Sequence, residues 1–575
     1  MEEFRECRKK LSITYLRLPE WKPSAALRCP VPGRIAVHLH LFYEDLLPEM
    51  LKCLAPWEDR SDELNRIFAD APENCTVKLE PGEYFLRKTI RIGGRKELTI
   101  DGRGATFVLH CDRTQMAFDS TNPENPDGFI FTDCDDLTLR RFTFRQEEPS
   151  NTGGEVLNVT PEYVDVRFYA PIPENMQFNT GNAFSEDGHP LGYWWLHTVD
   201  AEGRHGVVGR EVATTAVMPV NTPHKHLGNN CYRIWNEKDA LEPNMSKFLY
   251  PGLRVCVKNW SYGPTAFAFR SCDRTLIEDV TIPNHGGFVF LILPRCRDLT
   301  FRRVEFQVLD RKVQPYSCVV DAIHTTGLGG KLLIEDCKFD GLGDDTLNAH
   351  TQTLRAKTVS GRKASLFFDK PQAKFPPRWG RTGDTLIVYD GSTLAEKGRV
   401  KITAIHDDTE IETDRELLKT GDYVTNMAYM PEVILRRCHA VNSRSRFLVA
   451  ATTKLEIADC CFDMTGVLPP VYISSAFRRW GEGGGAENVY IHDNEIRCMW
   501  DANRGDHPRR AIWVRVNDEH PETVQTRYRN IRIENNRIMG TVEVANTDGL
   551  VIRGNVFDRP ENEAVHVHEN CTFAE

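Results

Sequence analysis

The sequence has no run of about 18 consecutive apolar residues, so no segment reads as a membrane-crossing helix. It also lacks a long basic run, and its formal net charge is −10. Gripping a phosphate backbone takes clustered Lys and Arg, so nucleic acid is not expected as the main partner. The same balance weighs against a highly anionic polysaccharide, unless a local basic patch overrides it. No C-x-x-C pair occurs among the 17 cysteines, an odd set that indicates neither a structural zinc nor a closed disulfide framework. Several of these thiols fall at apolar positions of predicted strands, where they act as small hydrophobes. The opening MEEFRECRKKLSITYLRLPEW mixes charges through the stretch where a secretory signal needs an apolar core. A cytoplasmic location is therefore expected, or an extracellular or periplasmic one if the N-terminus is atypical.

What the sequence does have is a repeat. One eight-residue pattern recurs: apolar, any, apolar, two mostly polar, a small or apolar position, any, apolar. It reads LTLRRFTF from Leu137, TLIEDVTI from Thr275, LTFRRVEF from Leu299 and LLIEDCKF from Leu332. It returns as VILRRCHA from Val433, LEIADCCF from Leu455, VYIHDNEI from Val489, IRIENNRI from Ile531 and LVIRGNVF from Leu550, with a looser LTIDGRGATF from Leu98. The first three positions alternate as a strand does, and the polar pair makes a corner. Asn535, Asn536 and Asn555 fall at that corner, where amides can bond from rung to rung. Where no large insertion intervenes, the copies are 24, 33, 22, 34, 42 and 19 residues apart. That is about one turn of a solenoid. A β-sandwich, the alternative, alternates strand direction and rarely repeats one strand-corner-strand signature nine times.

The expected fold is all-β: a right-handed parallel β-helix interrupted by two small inserted β-domains, with a short, partly helical N-terminal segment. Residues 1–57 stand outside the repeat; within them VHLHLFYEDLLPEMLKCL resembles, over under twenty residues, an opening segment of rhamnan-synthesis-type proteins. The helix starts over 58–147, and 148–268 is an inserted β-domain rich in aromatic and turn residues. Residues 269–353 are helix carrying an acidic site. Residues 354–428 are an inserted barrel-like domain, and 429–575 supply the C-terminal rungs.

A β-helix stacks outward side chains at about 4.8 Å, which suits an extended saccharide and lets carboxylates of neighbouring rungs face one another. The richest acidic segment is 319–350. Asp321 and Asp345 are 24 residues apart, close to one turn, so they are expected at similar positions on adjacent rungs. If Leu347 and Ala349 point inward, Asn348 and His350 point out. A buried Asp345 without a partner would be costly, so Asp344 and Asp345 suggest a turn at the mouth of a strand. Like charges this close push one carboxyl's pKa upward, which keeps a general acid protonated near neutral pH. Gly-Asp-Asp is equally the composition of a plain turn. His324 and His350 are weaker candidates, as substrate-binding residues. In 472–494, Trp480 could stack on a sugar while Glu482 and Arg478 or Arg479 bond hydroxyls. Packing of Trp480 under an ordinary Gly-rich connection is the other reading. No metal constellation is read.

These residues resemble glycoside hydrolase family 110, the α-galactosidases that act on terminal α-1,3-linked galactose. The resemblance is carried by Asp321-Ala322-Ile323-His324, Leu333-Ile334-Glu335-Asp336-Cys337, Gly343-Asp344-Asp345 and Asn348-Ala349-His350, with Trp480-Gly481-Glu482-Gly483-Gly484 beyond them. It implies an inverting hydrolysis of a glycan substrate with no metal or organic cofactor, catalysed by Asp321, Asp344 and Asp345. One carboxylic acid protonates the leaving oxygen while another carboxylate activates water. Asp321 is assigned as the acid, with Asp344 and Asp345 on the water side. The Arg478-Arg479 pair departs from the small or amide-bearing stretch expected there, which bears on the sugar's identity. The competing readings are a β-helix polysaccharide lyase, which needs an acidic Ca²⁺ site and a Lys or Arg base, and a non-catalytic carbohydrate-binding solenoid.

Overall fold

The structure, a computed structural model, describes residues 58–574 apart from 111–126, 172–182, 185–189, 192, 200–214, 220–223, 236–249, 260–262, 370–377, 408, 444–445, 465–468, 499–509, 519–523 and 525. The N-terminal segment 1–57 lies outside the described residues.

The repeat copies pair with one another in parallel and in register: Thr275 with Leu299, Leu299 with Leu332, Leu332 with Val433 and Val433 with Leu455. The series continues through Leu455 with Val489, Val489 with Ile531, and Ile531 with Leu550. Each copy is one rung of a right-handed parallel β-helix. The chain turns sharply after the first strand because the second residue of the polar pair takes a left-handed backbone: Arg141, Asp279, Arg303, Asp336, Arg437, Asp459, Asp493 and Asn535 all have φ between +51° and +58°. Short polar side chains tolerate this conformation best, and Asp or Asn fills most of these corners. The residue after it points inward. Cys438 N–H donates to Cys460 Sγ, Cys460 N–H to Asn494 Oδ1, Asn494 N–H to Asn536 Oδ1 and Asn536 N–H to Asn555 Oδ1. The amide ladder is therefore Asn494–Asn536–Asn555. Asn535, expected to share in it, serves as the left-handed corner instead.

A third sheet completes each turn. Its 11 parallel strands begin with Ile90–Gly93, Phe129–Thr132 and Phe267–Arg270 and end with Thr541–Val544 and Val565–Val567. The inward residues of all three sheets form one apolar core. Phe129, Phe267 and Phe290 stack within it at centroid spacings of 5.4 and 5.2 Å, within the range of favourable aromatic pairs. The helix Ser61–Asp70 covers the first rung with fully buried Leu64 and Phe68.

Between the second and third rungs of the third sheet, the chain builds an antiparallel sheet that includes Asn151–Val159, Tyr163–Phe168, Cys231–Trp235 and Arg254–Lys258. Between the sixth and seventh, the strands Thr351–Ser360, Lys363–Phe367, Glu410–Thr413, Glu396–Ile405, Thr385–Tyr389 and Tyr423–Asn426 pair in that order. The last returns to the first, closing a six-stranded ring around its own core.

Candidate active site

The fifth and sixth strands of the third sheet, Ile323–Thr325 and Leu347–Ala349, lie in register with Ile323 opposite Leu347 and His324 opposite Asn348. Ile323, Leu347 and Ala349 fill the core. Two residues before each strand's first residue stand Asp321 and Asp345, so the 24-residue spacing makes them neighbours across one rung step. The N–H of Asp345 donates to Asp321 Oδ1 at 3.0 Å. Oxygens of Asp321, Asp344 and Asp345 all lie within 4.8 Å of one another, with Asp321 and Asp345 buried and Asp344 half-buried. Among the described residues this is the one cluster whose side chains are close enough to share a cation.

The three carboxyls stand in different surroundings. Burial, then the charges of Asp344 and Glu482, push Asp321 well above the usual carboxylate range, against the opposing Asp345 N–H and Arg446. A second negative charge this close disfavours ionisation of Asp321, so its carboxyl keeps its proton more tightly than an ordinary aspartate. Asp345 instead meets a cation. Arg446 Nε lies 3.1 Å from its Oδ1 and Arg446 Nη2 3.3 Å from its Oδ2, and the guanidinium sits 5.0 Å over the Tyr472 ring.

His324 and His350 are buried and linked in a chain to Asp321. His324 Nδ1 lies 2.7 Å from Asp321 Oδ2, and its Nε2 is 3.2 Å from His350 Nε2. Two ring nitrogens sharing one hydrogen bond need one bare lone pair, so both imidazoles are not charged together. Burial lowers both, His350 to about 4. Asn348 Nδ2 donates to Glu482 Oε1 at 3.1 Å.

Glu482 reaches the site because Glu482–Gly483 pairs antiparallel with Thr351–Gln352, the residues that follow His350. Gly483 is required there, since a Cβ would fall 1.6 Å from Thr353 Oγ1. The short helix Phe477–Trp480 before it is closed by Gly481 at φ +70°. Trp480 is 55% exposed at this lip. Arg478 is committed elsewhere: its Nη2 donates to the carbonyls of Gly391 and Ser392 on the six-stranded ring, which ties the lip to that domain. The side chain of Arg479 lies outside the described residues.

Sequence reasoning missed Arg446. Phe447 is the register partner of Leu347, so alignment of the short strand FLV with LNA would have set Arg446 beside Thr346 and next to Asp345.

The strand pairings and the converging carboxylates define a parallel β-helix with an acidic cluster on its third sheet. The chain is similar over most of its length to proteins named alpha-1,3-galactosidase. The alpha-1,3-galactosidase B of Bacteroides thetaiotaomicron is 24% identical over 469 residues, 76% of this chain and 69% of that one. The alpha-1,3-galactosidase A of Bacteroides fragilis is 28% identical over 508 residues, 81% of this chain and 74% of that one. No family model matches the chain. Among solved structures, a family 28 exopolygalacturonase of Yersinia enterocolitica aligns at 9% identity over 90% of this chain and 76% of its own, with a TM-score of 0.36. The fold assignment rests on the strand pairings, not on that overlap.

Proposed function

We propose that the protein is a glycoside hydrolase of the family 110 type, removing terminal α-linked galactose from a glycan. The observation that carries this reading is the convergence of three carboxyls in different surroundings, supported by similarity to galactosidases on most of the chain. Asp345, ion-paired with Arg446, activates water. Asp321, whose carboxyl is raised by burial and by the charges of Asp344 and Glu482, is the acid, and the half-buried Asp344 stands beside it. Glu482, Asn348 and Trp480 line the lip as sugar contacts.

Inversion is the finer part of the proposal and rests on the resemblance. Inverting pairs stand about 6.5–9.5 Å apart and retaining pairs about 5–5.5 Å, and the close trio by itself leans toward the latter. The test is an α-1,3-linked galactosyl disaccharide followed by NMR. Release of β-galactose supports the whole reading; α-galactose overturns inversion alone; no hydrolysis of any α-galactoside sinks the function. Asp345→Asn is expected to lose about 10³-fold in kcat on every substrate. Asp344→Asn and Asp321→Asn are compared on nitrophenyl galactosides, whose good leaving groups need little acid help. The one that keeps activity there while losing the disaccharide is the acid.

The converging carboxylates also favour one second reading, a cation-dependent lyase. The cations nearest the cluster, Arg446 and Lys258, are engaged by Asp345 and by the Val319 and Gly343 carbonyls, which disfavours either as its base. Chelator-sensitive release of an unsaturated, ultraviolet-absorbing product would establish it.

A further inference from the structure

The acidic turns are held from outside the β-helix. Lys258 ends the strand Arg254–Lys258 of the first inserted sheet and is half-buried. Its Nζ donates to the carbonyl of Val319 at 2.6 Å and to the carbonyl of Gly343 at 2.9 Å. Those two carbonyls are equivalent positions on successive rungs, because Cys318 pairs with Leu342 and the Gly343 N–H donates to Cys318 O at 2.8 Å. The Gly343 carbonyl belongs to the peptide that leads directly into Asp344. The Val319 carbonyl lies one peptide further from Asp321.

The neighbourhood is built around this contact. A Cβ on Gly343 would stand 3.1 Å from Lys258 Cε and 3.1 Å from Val319 Cα, so glycine makes room for the lysine stem. Asn151, the register partner of Lys258 on the adjacent strand, donates from Nδ2 to Tyr316 O and accepts at Oδ1 from Tyr316 N–H, both at 2.9 Å. The adjoining ends of these two strands are thus bonded to the chain from 316 to 319 on one rung and to 343 on the next.

We propose that Lys258 is a positioning residue: its ammonium clamps two successive rungs and fixes the spacing between the turns that carry Asp321 and Asp344. This deepens the hydrolase reading and rests on it for its catalytic consequence. An ammonium bonded to two carbonyls is charge-assisted and stronger than a neutral pair. It holds both peptide planes at once, which nothing confined to a single rung can do. The first insertion is then part of the catalytic apparatus rather than an appendage, since a displacement of about 1 Å at reacting groups can cost about 10²-fold in rate.

The test compares Lys258→Met, which keeps the stem and loses the donors, with Lys258→Arg, which keeps them, in the full chain. Amide exchange is read across 317–321 and 342–346, and kinetics on the α-1,3-linked disaccharide and a nitrophenyl galactoside. Lys258→Met is expected to speed exchange about tenfold in both turns together. It should lower kcat on the disaccharide about twentyfold with KM within twofold, and lower it less on the activated substrate. A fall in folded fraction would reduce both substrates equally. Lys258→Arg should recover most of the loss. If Lys258→Met does not fold, Gly343→Ala displaces the ammonium without removing it and should give the same kinetic pattern. Unchanged exchange in the two turns, or equal losses on both substrates, overturns the proposal. A wild-type protein that turns over no galactoside while Lys258→Met still loosens both turns removes the hydrolase reading and leaves the clamp.

Discussion

At the scale of residues, the pair His324–His350 makes the site sensitive to acid. His350 titrates near 6.5 when unfolded and near 4 in the folded protein, because burial disfavours its charged form. Its contribution to stability is therefore complete above about pH 6.5 and is lost as pH falls toward 4, about 3 kcal/mol in all and about 2 kcal/mol of it by pH 5. His324 shifts in the same direction for the same reason. Asp321 runs the other way: its folded pKa is raised, so its contribution is full below the ordinary carboxylate range and fades as pH rises through the folded value. Urea melts at pH 7 and pH 5 should show His350→Gln losing about 2 kcal/mol less than wild type over that interval; equal losses would contradict the assignment. The neighbourhood of Asp321 and Asp345 was legible because a parallel register turns a one-rung sequence interval into physical adjacency. Arg446 and Lys258 were not. The third-sheet strands at Phe290–Ile292, Ile323–Thr325, Leu347–Ala349 and Phe447–Val449 are three residues each, too short to show alternation, and Lys258 arrives from an insertion. Nor could composition tell that Arg478 would spend its guanidinium on Gly391 and Ser392.

At the scale of elements, the corner carries the fold. Its polar pair was visible in nine copies, and so was the inward position after it, but which member of the pair turns the chain depends on backbone geometry that the pattern does not encode. Asn536 shows what the inward position does. Its Nδ2 donates to Ile491 O and Glu534 O at 2.9 and 3.0 Å, while its Oδ1 accepts from the backbone and side-chain amides of Asn494. Asn536→Ala strands these buried groups and should destabilise the protein by about 3 kcal/mol in urea melts. Cys337, Cys438 and Cys460 hold the same place on earlier rungs, and Cys460 Sγ accepts a backbone N–H there. Asn536→Cys is therefore expected to cost about half as much. Equal costs for Ala and Cys would mean that the ladder's acceptors contribute little.

At the scale of the whole molecule, both insertions converge on the same two rungs. The first reaches them through Asn151 and Lys258, and the second through Thr351–Gln352 and the lip that Arg478 anchors. The sequence marked where the rhythm broke, yet that both breaks serve one acidic cluster follows from the register, which sets strands 323–325 and 347–349 side by side. The rungs themselves are unequal in length, and that has a mechanical consequence. Each leans mainly on its neighbour, so a molecule held by its two ends and stretched should unreel from the C-terminal side rather than burst. The rung from Ile531 to Leu550 would release about 65 Å of chain, and the one from Val489 to Ile531 about 145 Å. In an optical trap that short step followed by a long one would spell out the spacing of the repeat, and a single large rip would show that the rungs yield together.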